Sequence, residues 1–428
     1  MSAHEQARAQ ITDPDVLATV DARRASLLAG AGHPRDALRI VDAMGSIRSA
    51  RTRVEVNGAR AVALVNVGRF DEAGRVAREA VQEHSHLSSS LDRRGIAQHV
   101  INEAHALAYA GHYREARELL EPAAERARAT TAIGAWLWFE MSLGEVARDT
   151  GRGHEAIRRF GAVARTAPTV GQHAALVWAH VGVAQGHLLL GQCAEAESAL
   201  EDADRVGDSP VATSVATLDR TRAWLDACRG DLASARDRIR AAIPPVRGDE
   251  IHVMEVALLH DLVRLGVPGE AVDRLATLAD LVDGPLVAHS LAHARGLVDQ
   301  DVDVLGAAVD GFEAIDALAW AAEAAAELAD LHRSRAEARL AAASSQRSAE
   351  LAERAGGVRT FVLARGAGVE PLTARERDVA LLAANGHSSR WIGTHLGLSP
   401  RTVDTHLARV YRKLGIGGRS ELTAALDR

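Results

Sequence analysis

Between Ser399 and Lys413 the chain concentrates hydroxyl, guanidinium, imidazole and ammonium groups on a segment of helical periodicity. Val403, Leu407, Val410 and Leu414 recur at intervals of four, three and four, the spacing of one apolar helix face. Elsewhere around the same helix stand Arg401, Asp404, Thr405, Ala408 and Arg412, all polar or small and free to enter a groove. Thr402, His406, Arg409 and Lys413 form an adjoining strip. Cationic and hydroxyl donors in such a strip suit phosphate oxygens beside the groove. Asp404 repels phosphate but can accept a hydrogen bond from cytosine N4. The chemistry is recognition, without bond making.

The elements that must hold this segment can be placed from start and stop signals. Ser399 as N-cap and Pro400 at the first helical position open the helix, which runs to Leu414 and ends at Gly415. A preceding helix runs from Ser388 to Leu396, and Gly397 permits a tight turn between the two. Before it, Thr373 and Glu376 form a capping box at the head of a helix that ends at Asn385-Gly386. A fourth helix starts after Gly417-Gly418 with Leu422, Ala425 and Leu426 on one side. Two helices joined by a three-residue turn make a helix-turn-helix, so residues 371–428 read as a small DNA-binding module. Ahead of it, Gly356, Gly357, Gly366, Gly368 and Pro371 predict a flexible or irregular linker over residues 353–370.

Residues 1–352 carry an internal repeat. Glycine followed four and five residues later by a polar residue and alanine occurs at Gly32, Gly68, Gly111, Gly151, Gly191, Gly230 and Gly266. The glycines are 36, 43, 40, 40, 39 and 36 residues apart. Seven residues before each glycine stand Ala25, Ala61, Ala104, Gly144, Ala184, Ala223 and, as the exception, Leu259. A small residue where a partner helix crosses, a glycine in a left-handed cap and an acidic first turn describe an antiparallel helix pair. Phe70 and Tyr113 are expected to plug the corner between helices. Irregular stretches are expected around residues 80–95 and 205–212, and residues 285–350 as one or two degenerate units. Stacked pairs make an α-solenoid whose concave face serves a ligand or protein partner, or assembly. The fold class is all-α.

Composition limits the alternatives. Hydrophobic residues make up 47% and aromatics 3%, so the core must be built mostly from Ala, Leu and Val. Cys193 and Cys228 fit no metal spacing and read as small apolar packing residues, which points to a reducing cytoplasm. No secretory signal or membrane-length apolar run is present. The net charge of −7 divides into +4 for residues 371–428 and −11 for the remainder, an acidic body with a basic end. No HExxH, GxSxG, CxxC or GxGxxG context occurs, so no catalytic, cofactor or metal residues are assigned. His84 and His86 lack a third ligand at metal spacing.

The terminal segment also resembles the LuxR-type (GerE-like) helix-turn-helix. The matching residues are Leu372-Thr373, Arg375-Glu376, Gly386, Ser388, Ile392, Leu396, Leu398-Ser399, Thr402-Val403, His406 and Lys413-Leu414-Gly415. The resemblance implies a homodimer through the fourth helix, bound to double-stranded promoter DNA with the third helix in the major groove. It places Asp404, Thr405 and Ala408 at base-reading positions. Two departures stand out: Trp391 replaces the usual Glu, leaving half a capping box, and Gly393 replaces Ala. Both are expected to weaken the module, with Trp391 as a packing residue. The repeat spacing is similar to the tetratricopeptide repeat, though longer than its usual period. The whole layout resembles the C-terminal half of large actinobacterial LuxR-type regulators, whose N-terminal P-loop ATPase is missing from this sequence: Lys413 is the only lysine. The competing reading is a TPR-like adaptor whose terminal domain only dimerises.

Overall fold

Each repeat glycine ends one helix and starts the reversal into the next. All seven adopt positive φ, from 71° at Gly191 to 103° at Gly111, where a β-carbon is disfavoured. The alanines five residues later (Ala37, Ala73, Ala116, Ala156, Ala196, Ala235 and Ala271) are fully buried, as are Ala25, Ala61, Ala184 and Ala223 before the turns. The absent methyl at Gly144 is equally required, since a Cβ there would stand 2.9 Å from the Phe160 ring. Phe70 and Tyr113 are buried at their corners. Small residues therefore set how closely the paired helices approach.

The structure, a computed structural model, describes residues 11–87, 93–207, 212–366, 372–414, 416, 418–422 and 426. All of its regular elements are helical. The pairs are α1 (Pro14–Gly30) with α2 (Pro34–Asp42), α3 (Ala50–Asn66) with α4 (Phe70–Leu87), and α5 (Arg93–Ala110) with α6 (Tyr113–Ala129). They continue as α7 (Ile133–Asp149) with α8 (Gly153–Thr166), α9 (Ala174–Leu189) with α10 (Cys193–Val206), and α11 (Ala212–Cys228) with α12 (Leu232–Gly248). The seventh pairs α13 (His252–Arg264) with a 3-10 turn and α14 (Val272–Ala279). Residues 285–350 form two further units, α15 (Pro285–Val298) with α16 (Val302–Ala314) and α17 (Leu318–Ser334) with α18 (Ala338–Arg354). Their turns keep the left-handed residue but replace the glycine, with Gln300 at φ 52° and Ala336 at 58°. The register survives as well: His293 and Ala329 lie seven residues before, Leu305 and Ala341 five after, and all four are buried. The expected irregular stretches fall in part on residues 88–92 and 208–211, outside the described residues.

The superhelix closes on itself. Gly68 meets Val282, and the Asp283 N–H donates to the Gly68 carbonyl at 2.9 Å. Gly111 packs on Leu286 and Ile315, Gly151 on Ala319 and Ala355, and Gly191 on the Arg359 carbonyl. The turns of units two to five thus form a seam against the next superhelical turn. The glycines serve twice, as helix caps and as points of close backbone approach.

Two expectations are corrected here. Of the flexible or irregular connection expected over residues 353–370, the described part is irregular but not loose. After Gly356 and Gly357, both at positive φ, the Arg359 N–H donates to the Leu189 carbonyl at 2.8 Å, and Val358, Phe361 and Val362 are buried. Apolar anchoring therefore outweighs glycine freedom, and a short helix α19 (Phe361–Gly366) follows. Nor are Cys193 and Cys228 separate packing residues. They form a disulfide with Cα atoms 6.0 Å apart, joining the first residue of α10 to the last of α11. Consecutive repeats stack in parallel register, and this brings the two positions together.

Candidate nucleic-acid interface and a chamber in the array

The terminal module contains α20 (Ala374–Ala384), α21 (Ser389–Leu396) and α22 (Pro400–Leu414). The capping box is complete: Glu376 N–H donates to Thr373 Oγ1 at 3.2 Å, and Thr373 N–H to Glu376 Oε2 at 2.9 Å. Ser388 caps α21 by accepting from the Trp391 N–H, and Gly397 closes it in the left-handed conformation. Ser399 Oγ accepts from the Thr402 N–H at 3.0 Å and caps α22. Val403, Leu407 and Val410 are buried with Val379, Ala380, Ala383 and Ile392 in one small core, and Leu414 packs at its edge. Most of the fourth helix, including Ala425, lies outside the described residues, as do Gly415 and Gly417. Leu422, which follows a 3-10 turn over Arg419–Glu421, is buried in the core.

With the aliphatic stripe inward, Arg401, Asp404, Thr405, Ala408 and Arg409 are exposed together with Ser399. Thr405 Oγ1 donates to the Arg401 carbonyl at 2.9 Å, which turns the hydroxyl back along the helix and leaves the methyl to face outward. Thr402 and His406 are half-buried, and Thr402 Oγ1 lies 2.7 Å from Ser399 Oγ. The Arg412 side chain lies outside the described residues. Lys413 departs from its expected place in the phosphate strip. Its ammonium lies 2.6 Å from Glu376 Oε2, with both side chains below 10% exposure. The pair ties the end of α22 to the capping box of α20, because a buried carboxylate recruits the nearest cation. Burial acts to raise the Glu376 pKa, but Lys413 and the Thr373 bonds outweigh it and hold it low.

The two family departures have local explanations. A Cβ on Gly393 would stand 2.7 Å from the Leu398 carbonyl, whose own N–H donates back to the Gly393 carbonyl at 2.8 Å. Glycine there allows the tight turn, which offsets its poor helix propensity. Trp391 is exposed, not a core packing residue, and stacks between His387 and His395 at ring separations of 3.8 and 4.8 Å. Three arginines had structural roles that motif reading did not assign. Arg375 donates to the Leu396 carbonyl, and Arg419 to the carbonyls of Ala383 and His387. Arg377 reaches out of the module to the Cys228 carbonyl at 3.4 Å. Beside it, a Cβ on Gly230 would stand 2.6 Å from the Leu372 carbonyl, so the module docks on the unit-six turn. Burial and the neighbouring Arg229 guanidinium lower the Arg377 pKa, so this docking is made against an electrostatic cost.

Within the superhelix lies a chamber of about 450 Å³. One wall, on α5 and α7, is polar and aromatic, with Gln98, Asn102, His105, Tyr109, Trp138, Ser142 and Glu145. Helices α13 and α15 add Val253, Met254, Ala257, Leu286 and Val287, with His260 and Ser290 among them. Charges under the chamber are compensated. Arg264 is buried, donates to Glu323 at 2.6 and 2.9 Å and to Asp261 at 2.8 Å, and lies 4.0 Å from the Trp224 ring. His260 Nε2 stands 3.1 Å from His293 Nδ1, whose Nε2 is 2.6 Å from Glu327. Burial first, and then His293, Arg264 and Arg220, hold His260 well below its ordinary pKa. Among the described residues no cluster has the make-up of a metal site, and no helix is long and apolar enough to cross a membrane.

Comparison with known proteins matches residues 370–426 to the GerE family, bacterial regulatory proteins of the luxR family. An HTH-type transcriptional regulator of Mycobacterium bovis is 36% identical over 208 residues, 47% of this chain and 21% of that protein. The chain thus aligns with about a fifth of that relative's length. The transcriptional regulatory protein UhpA of Escherichia coli is 47% identical over 53 residues, 12% of this chain and 27% of UhpA. A Rap protein crystallised with competence and sporulation factor superposes with a TM-score of 0.50 at 14% identity, over 80% of this chain and 99% of that one. That likeness concerns the fold of the array, a TPR-like α-solenoid.

Proposed function

We propose, from the luxR-family helix-turn-helix domain that ends this chain, that the protein is a sequence-specific transcription regulator acting on promoter DNA. Residues 371–428 bind the duplex, residues 1–352 receive a signal, and residues 353–370 connect them. In this reading α22 enters the major groove. Asp404, Thr405 and Ala408 face base edges, while Ser399, Arg401, Thr402, His406, Arg409 and Arg412 hold the backbone. The carrying observation is the division of α22 into a buried aliphatic side and an exposed side bearing Arg401, Thr405 and Arg409. The array does not cover those side chains. Lys413 is reassigned from DNA contact to bracing the module.

The array's part is regulatory, not enzymatic. Its chamber falls in the size range of small-molecule and short-peptide sites, and its mixed polar, aromatic and aliphatic lining suits an amphipathic ligand. A solved structure of similar fold is complexed with competence and sporulation factor, which supports a ligand-binding use here. Homodimerisation through the fourth helix matches two module copies to two half-sites. A chromosomal target places the protein in the cytoplasm.

The test is occupancy. Genome-wide mapping of DNA bound by the full chain, followed by titration of recovered sites at several salt concentrations, is expected to show discrete sites and steep salt dependence. Absence of DNA affinity even in dilute buffer would leave only the adaptor reading.

A further inference from the structure

The disulfide and the docked module meet at one turn. Cys228 ends α11, and its carbonyl accepts from Arg377. Two residues on, Gly230 approaches the Leu372 carbonyl and the Thr373 backbone so closely that a β-carbon would stand 2.6 Å and 3.2 Å away. Thr373 is the N-cap of α20, and its partner Glu376 holds Lys413 on α22. At the other end of the bond, Cys193 follows the Gly191 turn, which bears on Arg359 within the connection. Both turns that hold the connection and the module are therefore pinned to one another by a single covalent bond.

We infer that Cys193 and Cys228 form a reversible thiol–disulfide site, whose oxidation state sets how firmly the DNA-binding module is held on the array. The pair is placed for exchange with a low-molecular-weight disulfide. Cys228 is half-buried and the more open of the two, whereas Cys193 is the first residue of α10, where the helix dipole favours a thiolate. The Cys228 thiolate attacks one sulfur of the external disulfide, forming a mixed disulfide and expelling one thiolate. The Cys193 thiolate then attacks the Cys228 sulfur, closing the internal bond and expelling the second. The external disulfide takes two electrons, and the protons of the two cysteines pass to its two thiols. An external dithiol reverses both steps and is itself oxidised.

Coupling follows from what the bond restrains. Oxidised, the turn at residues 228–230 has one position and presents a carbonyl and a Cβ-free surface to the module. Reduced, α11 ends without its tether, and a contact already opposed by the Arg229 and Arg377 charges loosens. The freed module can then orient on both half-sites, so the reduced protein binds DNA more tightly. The DNA readout rests on the function proposed above, whereas the docking readout does not.

Hydrogen exchange of the full-length protein, oxidised with glutathione disulfide or reduced with dithiothreitol, tests this. Reduction is expected to speed exchange across residues 374–380 by at least about fivefold, and to tighten promoter binding by a similar factor. The double variant Cys193→Ser/Cys228→Ser should behave as the reduced protein in both buffers. Arg377→Ala, which leaves both thiols in place, should give the loosened pattern even when oxidised. A reduction that lowers the array's unfolding midpoint but leaves exchange over residues 374–380 unchanged makes the bond a mere brace and overturns the proposal. So would an Arg377→Ala protein indistinguishable from wild type when oxidised. Faster exchange without DNA binding in any state supports the docking switch and counts instead against the DNA-binding reading.

Discussion

Arg409 and Lys413 stand one helical turn apart and differ in what surrounds them. Arg409 is exposed, whereas Lys413 is turned in to Glu376. Arg409→Ala should weaken binding to every duplex and lower the slope of log affinity against log salt by about one, measured by anisotropy titration. Thr405 substitutions should instead change which sites are preferred. Lys413→Ala should act on folding, lowering the module's stability by about 2–3 kcal/mol, because Glu376 would remain buried without its cation. Calorimetry separates the two: a Lys413→Ala protein with an unchanged unfolding profile and a reduced salt slope would restore it to the phosphate strip. Residue types and their faces were legible in the sequence. The partner of Lys413 was not, because Glu376 is 37 positions away and only the α20–α22 packing brings them together.

Turns and helix pairs make up the next scale. Gly151 and Gly397 both adopt positive φ, but only Gly151 is crowded, with a Cβ there 2.8 Å from that of Ala319. Gly397→Ala should cost about 1–2 kcal/mol for conformation alone. Gly151→Ala should cost about 2–4 kcal/mol, since seam overpacking adds to it. Equal costs in chemical denaturation would mean that the seam is soft. A pH effect belongs to the α3–α5 pair, where the His99 ring covers Gly58. Burial, and secondarily His84, lower the His99 pKa from 6.5 to about 4. The fold therefore holds the neutral ring, and its contribution is present above pH 6.5 and lost as pH falls towards 4. Acidification should lower the unfolding midpoint, and His99→Gln should flatten that dependence. An identical pH profile for the variant would assign the acid sensitivity to other groups. Helix boundaries and the seven glycine turns were readable because capping and periodicity act within a few residues. The two last units were harder, since Gln300 and Ala336 do the work of glycine there.

Over the whole molecule, long-range pairs decide the shape. Arg264 on α13 and Glu323 on α17 join unit seven to unit nine across unit eight, beneath the chamber. Glu323→Ala should cost about 3 kcal/mol, the low end for a broken buried pair, because Arg264 would keep only Asp261 as its ionic partner. Adding Arg264→Met should recover much of that loss. A double variant no more stable than the single one would show that the pair is needed for more than charge balance. The module's place on the unit-six turn and the anchoring of residues 358–362 belong to this scale as well. Glycine content argued for looseness there, and apolar burial reversed it.

From the sequence alone came the all-helical class, the repeat register, the capped helices of the terminal module and the outward face of α22. Within each unit these depend on neighbours three to seven positions apart, where backbone geometry leaves few choices, and the repeat on the return of that pattern every 36 to 43 residues. Tertiary structure alone decided the superhelical seam, the chamber, the cysteine pairing and the docking of the module. Those contacts join residues from 35 to more than 200 positions apart. They follow from small rotations accumulated over successive helix pairs, and no local pattern records that sum.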